Sequence, residues 1–176
     1  RRVLAKFKPG TLRSVSEAVC GGRAVAGDTR VLMADGTTKA IQNVRVGDEV
    51  KNAQPGGADE KHRVDQIHVT RTDTDFTDLT VSTPSGQQTI TGTQNHPYFN
   101  LTTGEFTDAS QLKPGDSLQT DTGADVTVLR VHNYVSSMVT YDLTINGLHT
   151  YYVEAGDTPV LVHNCDLALG WRTQGT

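Results

Sequence analysis

The 176-residue sequence is poor in several features that would place a protein in a special class. It has two cysteines, Cys20 and Cys165, which excludes a disulfide-rich scaffold and leaves too few ligands for a structural zinc site. No apolar run approaches the roughly 18 residues of a membrane helix, and the basic N-terminus lacks the apolar core of a signal peptide. The net charge of −4, without a long basic run, argues against nucleic acid. We therefore expect neither nucleic acid nor a membrane as a partner.

What the sequence does contain favours strands. It has 17 glycines and frequent threonines, and no long segment has helical periodicity, so the fold class is predicted to be all-β. A short helix is predicted at residues 12–19 and a polar loop at residues 52–63. Alternation and turn signals predict strands at residues 30–33, 39–44, 49–50, 64–71, 79–82, 87–91, 126–131, 139–145, 149–153 and 160–162.

Two pairs of segments repeat within the chain. The segment from Asp35 to Val50 resembles the segment from Thr103 to Leu118, with apolar residues and a Gly-Asp pair at matching positions. Residues 78–81 (DLTV) resemble residues 142–145 (DLTI) in the same way. Because both pairs have similar offsets and occur in the same order, they indicate a duplicated unit within one pseudo-symmetric domain. The alternative is chance, since Gly-Asp turns between strands are common.

The most reactive pattern is His163-Asn164-Cys165, which follows an apolar strand. An asparagine amide can attack its own backbone carbonyl, which forms a succinimide and breaks the chain. The attack needs a polarised carbonyl and a protonated leaving amine, and a neighbouring histidine can serve both needs. A thiol after the asparagine adds a nucleophile for acyl transfer. The alternative is an unreactive strand end that carries polar residues.

Thr93 and His96 form a second candidate pattern. A hydroxyl and a ring N–H three residues apart could donate to one carbonyl between them. Taken alone, however, a turn before Pro97 is the simpler explanation for these residues.

Asp142 and His149 form the third candidate pattern, on either side of Asn146-Gly147. Asn-Gly is a hairpin signal, which would bring the two side chains onto neighbouring strands. There they could shuttle protons between a nucleophile and a carbonyl, or they could be an ordinary surface pair.

Taken in order, four blocks of the sequence resemble the Hint family: inteins, bacterial intein-like domains and the Hint modules of polymorphic toxins. Residues 24–36 (AVAGDTRVLMADG) are similar to its opening block, and residues 93–96 (TQNH) to its TxxH block. Residues 141–152 (YDLTINGLHTYY) are similar to its penultimate block, and residues 161–165 (LVHNC) to its terminal block. The resemblance implies a compact, pseudo-twofold, horseshoe-shaped all-β fold.

The resemblance also implies a division of the chain and an activity. Residues 24–164 would be the Hint domain, and residues 1–23 and 165–176 would be flanking N-extein and C-extein peptides. The expected activity is autocatalytic splicing or self-cleavage, a single-turnover reaction on the chain's own flanks. We expect a monomer that needs no cofactor and no metal, and we interpret the close carboxylates Asp73, Asp75 and Asp78 as a solvated strand edge rather than a calcium site.

Roles for individual residues follow from the matching blocks. Thr93 and His96 would activate the upstream scissile peptide, Arg23–Ala24. His149 would assist the cyclisation of Asn164, with His163 beside it, and this step would break the Asn164–Cys165 bond. Asp142 would help to pass the acyl group to Cys165.

Ala24 is a departure from the family, which has a Cys or Ser nucleophile at this position. Three explanations compete. In the first, which we favour, alanine replaces a native cysteine and stops the precursor. In the second, Ala24 is natural and Cys165 attacks the Arg23–Ala24 peptide directly. In the third, the chain cleaves only after Asn164. Cys20 lies four positions too early to replace the nucleophile.

The flanks leave the biological setting open between two hypotheses. One is a self-processing domain, and the other is an inert β linker module of a polymorphic toxin. Either would suit a bacterial protein that is part of a secreted or surface toxin. Residues 165–176 are too short for a folded toxin, so we expect a truncated junction there, and the interval between His96 and Asp142 leaves no room for a homing endonuclease.

Overall fold

The computed structural model describes residues 23–164, so the predicted helix at residues 12–19, Cys20 and Cys165 lie outside the described residues. Thirteen strands and two short 3-10 helices form this part of the chain, which confirms the all-β prediction. The 3-10 helices are Ile41–Asn43 and Ala109–Gln111. The strands are β1 (Val25–Ala26), β2 (Arg30–Leu32), β3 (Thr38–Ala40), β4 (Glu49–Ala53), β5 (Asp59–Thr70), β6 (Asp75–Thr83), β7 (Gly86–Thr93), β8 (Pro97–Asn100), β9 (Glu105–Asp108), β10 (Thr127–Val135), β11 (Thr140–Ile145), β12 (Thr150–Ala155) and β13 (Thr158–His163).

The strands form two antiparallel sheets. One has seven strands in the order β10-β6-β7-β1-β11-β5-β4, and the other has six in the order β3-β2-β12-β13-β8-β9. Strand β1 has only two residues, yet it lies between β7 and β11, with Val25 opposite both Gly92 and Tyr141. The start of the domain is therefore held at the centre of the larger sheet.

The larger of two hydrophobic clusters joins the two sheets. Leu79 and Leu143 from the seven-stranded sheet pack in one cluster with Val153 and Val160 from the six-stranded sheet. All four side chains are fully buried, and each such burial stabilises the fold by roughly 1.5–3 kcal/mol. This core fixes β11 and β13, which carry the candidate catalytic residues Asp142 and His163.

The two predicted repeats have matching structures. Each contains a 3-10 helix followed by a Gly-Asp turn, and the turn glycines Gly47 and Gly115 have φ values of 96° and 95°. In each turn the aspartate, Asp48 or Asp116, accepts a hydrogen bond at 2.9 Å from the backbone N–H three residues earlier. The repeat in the sequence therefore corresponds to a repeated supersecondary unit.

Two predictions of local structure are wrong. Residues 52–63 are not a loop, because β4 continues to Ala53 and β5 begins at Asp59. The first residues of β5 are mostly exposed, so they are polar throughout and show no alternation. Residues 39–44 do not form one strand, because Ile41–Asn43 is a 3-10 helix. That turn lets Ile41 and Val44, three residues apart, both enter the core.

The hairpin predicted at Asn146-Gly147 is also wrong. Strand β11 pairs with β1 and β5, whereas β12 pairs with β13 and β2. Gly147 has a φ of 80°, and the chain bends there and crosses from one sheet to the other. His149 consequently lies just before β12 and not on a strand beside Asp142.

Candidate active site at the two chain junctions

Ala24 lies against Thr93 at the upstream junction. The Ala24 N–H donates to Thr93 Oγ1 at 2.9 Å, and the Thr93 N–H donates to the Ala24 carbonyl oxygen at 2.9 Å. The Thr93 hydroxyl can also donate to that carbonyl oxygen, 3.3 Å away. The nitrogen of the Arg23–Ala24 peptide, which leaves when this bond is broken, is thus held by a group that can accept and donate protons.

Gly92 makes this close approach possible. It lies opposite Val25 in the sheet, next to Thr93. A Cβ atom at position 92 would lie 2.7 Å from the Ala24 carbonyl oxygen, a distance that real Cβ contacts do not reach. Only glycine therefore lets β7 approach the junction this closely.

His96 is buried in the turn that follows Thr93. Its backbone N–H donates to the Thr93 carbonyl at 3.2 Å, and neither ring nitrogen has a hydrogen-bond partner among residues 23–164. Burial, with smaller effects from the charges of Arg23 and His163, lowers the pKa of His96 to about 3. The ring is therefore neutral at physiological pH, with one donor and one acceptor nitrogen available to a reacting group.

Asn164 is fully buried at the downstream junction. Its backbone N–H donates to the His149 carbonyl at 3.0 Å. In the side-chain orientation that satisfies both amide groups, Oδ1 accepts a hydrogen bond from the Ile145 N–H at 2.8 Å. In the same orientation Nδ2 donates to the His149 carbonyl at 3.2 Å. The amide that would attack the backbone is therefore held in place by two backbone groups.

His163 contacts the carbonyl that Asn164 would attack. The distance from His163 Nδ1 to the Asn164 carbonyl oxygen is 2.7 Å, so a proton on Nδ1 donates to that oxygen. The Phe106 ring packs edge-on against the imidazole, with 5.0 Å between the ring centroids. His163 is therefore oriented to polarise the scissile carbonyl of the Asn164–Cys165 bond.

Asp142 is buried and bonded through one of its oxygens. Oδ1 accepts hydrogen bonds from the Tyr151 hydroxyl at 2.7 Å and from the Leu143 N–H at 2.8 Å. Burial raises the pKa of Asp142 to about 8, although those two donors and the charge of Arg23 act in the opposite direction. The carboxyl group is therefore mainly protonated at pH 7 and can act as an acid.

The fold brings the predicted residues to one region. Thr93 lies on Ala24, and the charge of Arg23 acts on both His96 and Asp142. Asn164 bonds to the backbone of His149 and to the end of β11, the strand that carries Asp142. Cys165 lies outside the described residues.

Sequence reasoning missed Tyr151, Gly92 and Phe106. Tyr151 is two positions after His149 in a strand whose alternate residues share a face, and this periodicity was the available signal. Gly92 and Phe106 carried no signal, since their partners lie 68 and 57 positions away along the chain.

Two further features are absent from residues 23–164. Within them, no three His, Cys, Asp or Glu side chains are grouped so that they could hold a metal ion. The same part of the chain contains no helix that is long and apolar enough to cross a membrane.

Comparison with known proteins identifies the family. Residues 30–165 match the family model of the pretoxin Hint domain. The chain belongs to the pretoxin Hint family. It is 30% identical to the bacterial intein-like domain from Clostridium thermocellum, with 81% of this chain and 99% of that chain covered and a TM-score of 0.70. A search of curated proteins finds no match.

More distant structures share the Hint fold. The Ssp DnaB mini-intein variant M86 has 19% identity and a TM-score of 0.64, over 81% of this chain and 95% of its own. A DnaB intein from Synechocystis has 18% identity and a TM-score of 0.62, over 80% and 97%. The predicted Hint fold is thereby confirmed, and with it the general capacity for self-processing. The family also places the domain in the context of toxin precursors.

Proposed function

We propose that this Hint domain breaks its own chain after Asn164 by asparagine cyclisation, and that it splices its flanks when position 24 carries a nucleophile. The observation that supports this most directly is the 2.7 Å contact between His163 Nδ1 and the Asn164 carbonyl oxygen. It pairs an electrophile-activating group with a buried amide that is already fixed by Ile145 and His149.

The downstream step balances within the chain's own atoms. Asn164 Nδ2 attacks the Asn164 carbonyl carbon, and the negative charge that develops on the oxygen is stabilised by the proton on His163 Nδ1. The bond from that carbon to the Cys165 nitrogen then breaks. A proton lost from Nδ2 is gained by the leaving amine, so the products are a C-terminal succinimide and a free N-terminus at residue 165.

The upstream step requires a side chain that Ala24 does not have. With cysteine at position 24, Sγ attacks the Arg23 carbonyl carbon, and the Ala24-position nitrogen leaves as an amine. The Thr93 hydroxyl, 2.9 Å from that nitrogen, is placed to give it a proton. Cys165 Sγ then takes the acyl group, and the sulfur of the cysteine at position 24 leaves as a thiol. After Asn164 cyclises, the freed amine of residue 165 attacks the same acyl carbon, which releases the Cys165 thiol and leaves a peptide bond between the flanks. We infer that Ala24 replaces this nucleophile, because the Thr93 contacts to the junction are otherwise complete.

The test is intact mass spectrometry of the chain and its Ala24→Cys variant, incubated side by side at neutral pH. We expect Ala24→Cys to release residues 24–164 and to join residues 1–23 to residues 165–176. We expect Asn164→Ala to abolish downstream cleavage in both forms. Asn43→Ala is the matched control, because Asn43 is an exposed asparagine far from the junctions in sequence, and it should change nothing.

Other outcomes separate the remaining explanations for Ala24. Splicing of the unchanged chain would mean that Cys165 attacks the Arg23–Ala24 bond directly. Loss of only residues 165–176 from both forms would mean that downstream cleavage is the whole activity. No chain breakage in either form would refute the proposal and favour an inert linker, the function that Ala24 itself suggests.

A further inference from the structure

Tyr151 and Asp142 form a buried hydrogen-bonded pair between the two sheets. Strand β12 carries Tyr151 in the six-stranded sheet, and β11 carries Asp142 in the seven-stranded sheet. The side chains are 0% and 1% exposed, and the hydroxyl lies 2.7 Å from Oδ1. Water cannot replace a bond in so closed a position without a rearrangement, so the pair fixes the rotation of the carboxyl group.

The two oxygens of Asp142 have different surroundings. Oδ1 accepts hydrogen bonds from the Tyr151 hydroxyl and from the Leu143 N–H, so it already has two donors. Oδ2 is equally buried, and it has no hydrogen-bond partner among residues 23–164. An oxygen that accepts two donors is poorly suited to carry a proton itself. In the neutral acid the proton therefore lies on Oδ2, the oxygen without a partner.

We propose that Tyr151 is a positioning residue, which holds Asp142 so that Oδ2 is the proton-bearing oxygen offered to the junction. The inference rests on the proposed self-processing reaction. The family resemblance implies that Asp142 helps to pass the acyl group to Cys165, and we take its carboxyl group to be the proton donor of that step. Tyr151 itself touches neither junction in the described part of the chain. Its effect is exerted through the carboxyl group.

The other charged groups around Asp142 do not provide the same orientation. His68 is opposite Asp142 on β5, but its Nε2 lies 2.7 Å from the Thr144 hydroxyl. Arg23, which precedes β1, lowers the pKa of Asp142 by its charge and makes no hydrogen bond to it in the described structure. Among residues 23–164, only Tyr151 and the Leu143 backbone bond to the carboxyl group, and of these two donors only the Tyr151 hydroxyl can be removed by substitution.

The neighbouring Tyr152 provides a matched control. Its hydroxyl also donates to a carboxylate at 2.7 Å, but that carboxylate is the exposed Asp59. Tyr152 itself packs in a smaller hydrophobic cluster with Phe99 and Leu161. Tyr151→Phe and Tyr152→Phe therefore each remove one hydroxyl and one hydrogen bond from adjacent residues of β12. A general effect of losing a buried hydroxyl would be seen in both variants.

The first measurement does not depend on chain cleavage. In an Asn164→Ala background, the titration of the Asp142 carboxyl carbon is followed by NMR. Tyr151→Phe removes a donor to the charged form, so the pKa of Asp142 should rise, and Tyr152→Phe should leave it unchanged. Replacement of Tyr151 by 3-fluorotyrosine, whose hydroxyl is a stronger hydrogen-bond donor, should lower the pKa of Asp142. This second variant keeps the test available if Tyr151→Phe does not fold.

The second measurement is the rate of splicing against pH in the Ala24→Cys chain. Tyr151→Phe should slow splicing by about tenfold or more. The pH above which the splicing rate falls should also move upward, by the same amount as the pKa of Asp142 measured by NMR. The proposal would be overturned if the pKa of Asp142 were unchanged in both Tyr151 variants. It would also be overturned if Tyr151→Phe slowed splicing without shifting the dependence of the rate on pH. Absence of splicing in the parent, with the titration shifted as expected, would refute the proposed function and leave the orientation of Asp142 standing.

Discussion

The backbone carbonyl of His149 organises the downstream junction at the scale of single residues. It accepts hydrogen bonds from both the backbone N–H and the side-chain Nδ2 of Asn164, at 3.0 Å and 3.2 Å. These bonds do not depend on the imidazole, so substitution of His149 would leave the amide in place and remove only the ring. His163 differs, because its ring makes the direct contact to the scissile carbonyl. The two histidines therefore serve the junction in different ways.

Gly92 gives a prediction at the upstream junction. In Gly92→Ala, the new methyl group would meet the Ala24 carbonyl oxygen at 2.7 Å, and this neighbour is backbone. We expect β1 to shift away from Thr93, which lowers the free energy of unfolding by about 1–3 kcal/mol. In the Ala24→Cys chain, thiol-induced cleavage at position 24 should slow more than cleavage after Asn164. Urea denaturation and mass spectrometry measure the two effects.

Gly57→Ala is the control for this prediction. Gly57 lies in an exposed turn, and its new methyl group would approach only Gln54, whose Cβ atom lies 3.1 Å away and whose carbonyl oxygen lies 3.4 Å away. We expect little change in stability or in cleavage at either junction. Equal effects of the Gly92 and Gly57 substitutions would contradict the assignment of Gly92 to the junction.

The duplicated turns are the clearest feature at the scale of elements. Gly47 donates its N–H to the Val64 carbonyl, and Gly115 donates to the Val128 carbonyl, at 2.9 Å and 2.8 Å. In both halves the turn thus bonds to a long strand, at the middle of β5 or near the start of β10. Since β5 pairs with β11, the first turn supports the strand that carries Asp142.

The repeat predicts that the two turns respond alike to substitution. Gly47 and Gly115 both have φ near 95°, where a side chain is strained, although neither would clash with a neighbouring atom. We expect Gly47→Ala and Gly115→Ala each to destabilise the domain by about 1–2 kcal/mol. Asparagine tolerates this conformation better than alanine does, so Gly47→Asn and Gly115→Asn should lower the free energy of unfolding by less than the alanine variants. Urea denaturation measures the stability of the four variants. An alanine variant as stable as its asparagine counterpart would contradict the argument from backbone strain.

These elements also show what the sequence can predict. Alternation of apolar and polar residues identified β11 and parts of β6 and β7, whose apolar residues such as Leu79, Val81 and Leu143 are buried. It missed the exposed start of β5, and it missed β8, whose four residues are all buried. Neither a wholly exposed nor a wholly buried segment has to alternate. The short strand β1 depends on pairing with β7 and β11, which are distant in sequence.

The candidate site was more predictable than the path of the chain. The reactive residues form compact blocks, because each block supplies neighbouring groups to one junction, as His163 and Asn164 do. The hairpin at Asn146-Gly147 was mispredicted because the Ile145 N–H bonds to the Asn164 side chain. A local turn signal cannot reveal that a strand end is bonded to a residue of another sheet. Tyr151 was missed for the same reason, since its partner is on a strand of the other sheet.

At the scale of the whole molecule, the fold buries ionisable groups in a way that favours their neutral forms. The pKa of His96 falls to about 3, and burial raises the pKa of Asp142 to about 8. Burial also raises the pKa of Glu154 to about 7, helped by the charges of Asp121 and Asp157. All three groups are therefore neutral in the folded protein at mildly acidic pH, where the cost of burying charge is lowest.

This predicts an unusual dependence of stability on pH. Between pH 3.8 and pH 8, folded Asp142 holds a proton that the unfolded chain has released, so the free energy of unfolding falls as the pH rises through this window. Glu154 acts in the same direction between pH 4.5 and pH 7. His96 acts oppositely, because below pH 6.5 the unfolded chain gains a proton that the folded protein takes up only near pH 3. Burial lowers the pKa of His68 as well, so His68 acts in the same direction as His96. Above pH 6.5 both histidines are neutral in the folded and the unfolded chain, so stability should decline from about pH 6.5 to pH 8.

Asp142→Asn tests this argument, because Asp142 is the group expected to cause the loss of stability between pH 7 and pH 8. Asparagine reproduces the neutral acid, since its Oδ1 can still accept hydrogen bonds from Tyr151 and Leu143, and it cannot ionise. In urea denaturation of the Asn164→Ala chain, the decline from pH 7 to pH 8 should therefore disappear in this variant. Asp125→Asn, which changes an exposed carboxylate, should leave the decline intact. If the parent is instead equally stable at pH 7 and pH 8, Asp142 is already ionised in the folded protein, and it would serve the junction as a base rather than as an acid.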